Sequence, residues 1–373
     1  MRILHVVTLH TPDNAFGGPT LGAIQMSQMQ SDLGHDVSIL GLASGFSDLK
    51  QATITGVDSH FFRSQRVLPG LGYAGIASSG LLAWAVQRLR CYDIVHSHLS
   101  RDLVTLPVTR IAQSQQLRTV VQTHGMIDES DKALAKVLDR FATRNALERA
   151  DRVLHLTNFE RESIRQVANV GSEQLQQLRN GLPRQSHLRT RGATPVVVFV
   201  ARFHERKRPD HFVQAAREVL DSGVHAEFVM AGPDEGALQS TLHLIESLNL
   251  NASVKYLGPL ATDDVMDLMR SAWIYVLPAV DEPFGRTIVE AMSVGVPVVI
   301  TESCGLARTV AESNSGIVVN ANPGDLARAV IELLDPKRNL EAGQQALQTS
   351  RNNFSLDEVA ADLCRIYEDV LGP

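Results

Sequence analysis

Three cysteines in 373 residues, at 91, 304 and 364, make no Cys-x-x-Cys pair and cannot all join one another. No disulfide framework and no structural zinc site is expected, and the usage points to a reducing cytoplasm. Aromatic residues are scarce at 5%, so the sheets must be built from aliphatic side chains. Long apolar runs are missing too. The longest, near "GLLAWAV" at 80–86, falls far short of the roughly 20 residues that span a bilayer. The opening "ILHVVTL" is broken by His5 and has no cleavage site, so no signal peptide is expected there. No Asp-x-Asp sequence is present to hold a divalent ion.

What is present is a mixed globular composition, 44% apolar and 20% charged, too apolar for a disordered chain. The length exceeds one ordinary hydrophobic core, which predicts two domains. Charge is uneven. Residues 1–190 carry 20 Lys+Arg against 16 Asp+Glu, and residues 191–373 carry 15 against 25. The basic excess of the first half fits either an anionic partner or plain solvation. No nucleic-acid partner is expected.

Near-continuous β-branched runs alternate with helical patterns throughout: "RILHVVTL" then "TLGAIQMSQMQSDLG", "YDIVHSH" then "DLVTLPVTRIAQS", "PVVVFVARF" then "DHFVQAAREVLDSG". Strands without apolar–polar alternation, separated by helices, predict parallel sheets covered on both faces. Between the halves, "RNGLPRQSHLRTRGATP" at 179–195 has no period and reads as a linker. The expected fold is α/β, with two Rossmann-like domains facing across a cleft and ligands outside the C-terminal strand ends. The boundaries are 1–185 for the first domain and 190–355 for the second, with a final helix at 356–373 packing back on the first.

The stretch "VDEPFGRTIVEAMSVGVPVV", 280–299, sets Glu282 in a loop and Glu290 within a helix. The bland reading of the helix is a surface pair between Arg286 and Glu290. Yet it starts directly after a buried strand, where free backbone N–H groups favour an anion, and Gly285 lets a ligand come close. Carboxylates on either side of an anion suit hydroxyls, as of a sugar at one end and a ribose at the other. Arg202 and Lys207 in "VFVARFHERKRPD" are the kind of cationic pair that a departing nucleoside diphosphate requires. Gly17-Gly18-Pro19 follows the first strand, and "VVQTHGM" ends another strand with His124 and Gly125. His96 and His98 share a strand face, without a third metal ligand in sight.

"EPFGRTIVE" in its strand–turn–helix setting resembles the Glu-x7-Glu motif of retaining GT-B glycosyltransferases of family 4, the glycosyl transferases group 1. The resemblance is strong over 195–320 and looser before. It implies that Glu282 contacts the transferred sugar and Glu290 the ribose, with Phe284, Gly285, Arg286 and Thr287 around the phosphates. It further implies that Arg202 and Lys207 grip the diphosphate, and that Gly17 and Gly18 let it approach. His124 would lie against the sugar, His98 on the acceptor side, and Gly232 and Leu260 by the nucleobase. The implied reaction is a metal-independent, cofactor-free transfer from a nucleotide sugar, a UDP-sugar before GDP-mannose, to a hydroxyl. The acceptor would be a saccharide or lipid-linked molecule of surface polysaccharide or glycoconjugate synthesis. Many relatives have an aliphatic residue at the position of Arg286, which leaves donor choice open.

Other classes stay open at this stage: a nucleotide-sugar isomerase of the 2-epimerase type, or a non-catalytic binder of nucleotide sugars. "GLGYAG" at 70–75 matches a dinucleotide fingerprint but stands apart from the preceding strand, which argues against NAD. Its neighbourhood, with Arg63, Arg66, Arg88 and Arg90 around Leu81, Leu82 and Trp84, admits two readings. One is an ordinary packed helix. The other is an amphipathic surface for a membrane or lipid-linked acceptor, which would place the protein at the inner face of the membrane. Oligomeric state is not legible.

Overall fold

A computed structural model describes residues 1–12, 18–129, 133–190 and 192–372. The chain divides into two compact units, Met1–Gly181 with Leu356–Pro373, and Leu182–Ser355. Unit 1 holds a seven-stranded parallel sheet in the order Asp58–Arg63, Asp36–Ala43, Arg2–His10, Ile94–His98, Arg118–Gln122, Arg152–His155, Leu175–Gln177. Chain order reverses between Arg2–His10 and Ile94–His98, the switch point where such sheets open a crevice at their C-terminal ends.

Alternation along the strands decides which face each residue joins. Ile3, Val7 and Ile94 pack with the helix Gly18–Asp32 and with Leu356, Val359, Leu363, Ile366, Tyr367 and Val370 of the final helix Leu356–Leu371. Leu4, Val6 and Val95 face the other way, onto helices Ser79–Arg88 and Thr105–Ser114. His5 and His96, which are register partners, therefore lie on the face that the final helix covers.

Unit 2 has six parallel strands in the order Val254–Tyr256, Glu227–Ala231, Val196–Val200, Ile274–Leu277, Val298–Thr301, Gly316–Val319. Its switch point falls between Val196–Val200 and Ile274–Leu277. Both central strands are buried almost throughout, as their unbroken apolar sequences require.

Two expectations change. The segment expected as a free linker is partly built into unit 2: Arg189 donates to Asn339 Oδ1 at 2.9 Å and to the Asn339 carbonyl at 3.0 Å, and its own N–H reaches the Val294 carbonyl at 3.0 Å. Arg189 thus serves unit 2 rather than a tether. Helices Pro323–Leu333 and Pro336–Asn353 were also not anticipated as separate elements. The stretch 72–75 of the glycine-rich decoy forms one 3-10 turn inside a two-strand hairpin, Gln65–Arg66 with Ile76–Ala77. Leu81, Ala85 and Leu89 bury the inner side of the helix that follows. Among the described residues no helix is long and apolar enough to cross a membrane.

Candidate active site

At the switch point of unit 2, two loops leave adjacent strand ends and are tied together. The Val280 N–H donates to the Arg206 carbonyl at 2.8 Å, and the Arg206 guanidinium donates to the Asp281 carbonyl. The first loop carries Arg202 and Lys207, the second Glu282. Lys207 Nζ forms an ion pair with Glu282 Oε2, both largely buried, while Glu282 Oε1 accepts the Gly285 N–H at 3.0 Å. Arg202 is more than half exposed and grips both oxygens of Glu235, at 2.7 and 2.8 Å. Its partner was not anticipated, since Glu235 lies on a different loop 33 residues on.

The helix Arg286–Ser293 starts at Gly285, whose φ of 72° is a left-handed backbone that glycine adopts without strain. A Cβ there would meet Ile288 Cδ1 at 2.5 Å. Among the described residues no side chain caps this helix; the Gly285 N–H goes to Glu282 and the Ile288 N–H to the Gly285 carbonyl at 2.9 Å, and an anion at the helix start meets the positive end of the helix dipole. Glu290 is buried one turn in, and Arg286 Nε donates to it at 2.9 Å. The i, i+4 pair read from the sequence is thus present, but inside the protein rather than on its surface. Phe284 is buried against Phe354, so its ring belongs to the core and only its backbone is left for a ligand.

Tyr275 was missed by sequence reasoning. Fully buried, its hydroxyl donates to the Val200 carbonyl at 3.2 Å and lies 2.6 Å from Thr287 Oγ1, fixing the helix start to the central strand. Burial pushes the phenol well above its ordinary pKa, against the opposing hydrogen bond to Thr287, so it stays protonated. Gly232 ends a neighbouring strand with φ 142°, and an added Cβ would lie 1.9 Å from the Ala201 carbonyl. Leu260 follows the next strand, half-buried in its loop.

Unit 1 gathers its candidates at its own strand ends. Gly18 begins the first helix, where Thr20 Oγ1 donates to the Leu9 carbonyl at 3.1 Å; Gly17 lies outside the described residues. His124 has φ 51° and Gly125 φ 73°, two left-handed residues in succession. For a histidine this is a strained backbone, and Glu160 holds it. Its carboxylate accepts from Thr123 Oγ1 and the Gly125 N–H, both at 2.5 Å, and from the Leu156 N–H at 2.6 Å. Burial raises the Glu160 pKa, and these three bonds pull the other way. A lone glutamate in "FERES" carries no sequence sign of that task.

Beneath His124 lies a row of buried imidazoles. His124 Nε2 is 2.7 Å from His98 Nδ1, His98 Nε2 is 3.1 Å from His5 Nδ1, and His5 Nε2 is 2.7 Å from Gln30 Oε1. His98, expected on the acceptor side, has both ring nitrogens engaged within the protein. It lines a small hollow together with His124, Gly22, Arg179 and Asn180. His96 Nδ1 lies 2.6 Å from the Tyr367 hydroxyl. The third histidine that a metal would need comes from the first strand: one nitrogen each of His5, His96 and His98 lies within 4.8 Å of the others. The His96 and His98 rings are stacked 14° from parallel, and the facing nitrogens of His5 and His98 are bonded to each other. Burial lowers the His5 pKa to about 4 and those of His96 and His98 well below the ordinary value.

A D-inositol 3-phosphate glycosyltransferase of Catenulispora acidiphila is 26% identical over 98% of this chain and 93% of its own length. One from Corynebacterium aurimucosum is 26% identical over 75% of this chain and 72% of its own. Among solved structures, sucrose-phosphate synthase from Thermosynechococcus elongatus superposes with a TM-score of 0.79 at 17% identity, covering 99% of each chain. Anabaena HepE in complex with UDP and glucose gives 0.78 at 18%, covering 98% of this chain and 99% of its own. These structural likenesses show the two-domain α/β GT-B fold. One family model, described as Glycosyl transferase 4-like domain, matches residues 17–181, and a second, Glycosyl transferases group 1, matches 185–349. With nearly the whole length matched by these two models in succession, the chain belongs to the group 1, family 4 glycosyltransferases of GT-B fold.

Proposed function

We propose that this glycosyltransferase works with retention, moving a hexosyl group from a nucleoside-diphosphate sugar, with UDP favoured over GDP, to a hydroxyl of a saccharide or lipid-linked acceptor. The observation that carries the reading is the convergence at one strand-end switch point of Lys207, Glu282, Glu290 and an uncapped helix start, with Arg202 on the same loop as Lys207. An anion there meets amide dipoles and two cations, which is how a leaving diphosphate is stabilised without a metal ion. Arg202 and Lys207 take the phosphates, Glu290 the ribose and Glu282 the sugar hydroxyls. The acceptor oxygen attacks the anomeric carbon on the face the nucleotide leaves. As that bond forms, the bond from carbon to phosphate oxygen breaks, and the acceptor proton passes to the departing phosphate.

Donor preference draws support from HepE, whose solved complex holds UDP and glucose. The relatives' D-inositol 3-phosphate names offer one acceptor class to try first. The three free cysteines support a reducing, cytoplasmic setting. Exposed Val67, Leu68 and Tyr73 beside exposed Arg63 and Arg66 support peripheral contact with an anionic membrane surface.

Thermal unfolding with UDP, GDP, ADP or TDP in the presence of EDTA tests the reading. UDP should raise the melting temperature most, because a ligand at about 100 times its Kd adds about 2.7 kcal/mol. A shift that vanishes with EDTA would remove the metal-free reading, and an inverted anomer in the NMR spectrum of the product would remove retention.

A further inference from the structure

The pair between Arg286 and Glu290 runs against the helix that carries it. Arg286 is the first residue of Arg286–Ser293, at the positive end of the helix dipole, and it precedes the acid by four positions. A cation is disfavoured at that end, and cation before acid is the weaker order for an i, i+4 pair. Both side chains are also largely withdrawn from water, at 15% and 10% exposure, so the pair carries a desolvation cost that a surface pair avoids. Helix stability does not account for it.

The contact itself is asymmetric. Arg286 Nε donates to Glu290 Oε1 at 2.9 Å, and among the described residues Oε2 accepts no hydrogen bond. The guanidinium thus gives the carboxylate its counter-charge and anchors one oxygen, which leaves the other to a ligand. The backbone beneath is held at both ends. Tyr275 lies 2.6 Å from Thr287 Oγ1, and Ser293 Oγ donates to the Glu290 carbonyl at 2.7 Å. A carboxylate oxygen only accepts, so what Oε2 recognises must donate: a hydroxyl fits and a phosphate oxygen is repelled.

We propose that Arg286 is a positioning residue for nucleotide recognition. It holds Glu290 so that Oε2 accepts from a ribose hydroxyl, and thereby sets how strongly the site prefers a ribonucleotide to one without ribose hydroxyls. The proposal rests on the assignment of the ribose to Glu290 in the preceding section. It gives the Arg286 Nε–H a carboxylate as its partner rather than the diphosphate.

Isothermal titration calorimetry with UDP and with 2′,3′-dideoxy-UDP tests it, on the wild type, Arg286→Met, Glu290→Leu and the double variant. The wild type should bind UDP about tenfold or more tighter than the dideoxy nucleotide, as for one hydrogen bond to a charged group. Arg286→Met should cut that ratio to about threefold or less while the Kd for dideoxy-UDP stays within about twofold, because the guanidinium acts only through Glu290. Glu290→Leu and the double variant should show the same small ratio, as residues that act as one unit do. The double variant removes both charges together, so it should stay folded even where a lone buried Glu290 does not allow it.

A ratio kept in Arg286→Met but lost in Glu290→Leu would overturn the proposal and leave the ribose assignment standing. A Kd for dideoxy-UDP weakened about tenfold in Arg286→Met would overturn it too, since Arg286 would then grip the phosphates itself. Equal affinities for the two nucleotides in the wild type, or a ratio kept in Glu290→Leu, would remove the ribose assignment and this proposal with it.

Discussion

At the scale of single residues, exposure separates groups that serve the fold from those that serve a ligand. Arg202 is 57% exposed and its pair with Glu235 is screened by water, so Arg202→Ala should leave stability within about 0.5 kcal/mol. Its transfer rate should nevertheless fall on the order of 10²-fold, as expected when a preorganised charge on the leaving group is lost. Lys207→Ala should lose transfer to at least that extent, and some stability too, because Glu282, only 11% exposed, is left without its cation. Steady-state kinetics beside urea unfolding checks both; a normal rate in both variants would remove the phosphate assignment. Gly232→Ala should cost about 2 kcal/mol or more by urea midpoint, because its φ of 142° and the Ala201 carbonyl leave no room for a Cβ.

At the scale of elements, the strands that bring His5, His96 and His98 together also make unit 1 sensitive to acid. Their folded pKa values are lowered, so these rings bind protons more readily when unfolded. The stability they contribute is complete above pH 6.5 and lost as pH falls toward the folded values, about 4 for His5. His5 alone accounts for about 3 kcal/mol across that window. Glu160 runs the other way: its raised pKa means its contribution is largest in acid and falls as pH rises through the folded value. Each unit has one of the two tryptophans, Trp84 and Trp273. Trp84 fluorescence in a Trp273→Phe background should therefore report a urea midpoint that drops from pH 7 to pH 5. A flat profile would count against neutral buried rings.

The same elements show what a sequence makes visible. Parallel strands were legible because burial on both faces leaves unalternated runs such as "VVVFV". The unit 2 site was legible because Glu282, Gly285 and Glu290 sit within one strand–turn–helix stretch, where spacing is fixed by local geometry. The supports were not. Glu235 meets Arg202 across 33 positions, Glu160 pins a loop 35 residues earlier, and Gln30 reaches His5 from the helix that follows its strand. Such pairings depend on how strands are ordered in a sheet, and no local pattern records that. The cover over His98 was not legible for the same reason: its strand face was clear, but not that the final helix packs on that face.

At the scale of the whole molecule, unit 1 is assembled from both ends of the chain. Seven apolar or aromatic side chains of the last helix, from Leu356 to Val370, lie in its core. Exposing them costs about 1.5–3 kcal/mol each, which exceeds the net stability of an ordinary domain. Deleting residues 356–373 should therefore abolish the cooperative Trp84 transition while leaving that of Trp273 in place. A truncated protein that kept the Trp84 transition would show that the helix is dispensable.

During synthesis on the ribosome, all of Leu182–Ser355 emerges before the piece that closes the first sheet's exposed face. The earliest residues made must wait with that face uncovered, and completion of the histidine row's surroundings, including Tyr367, is deferred until Leu356–Leu371 has been made. A premature stop codon anywhere in the second half would thus strike the first half, and a cell would find no half-enzyme with a finished His124 loop.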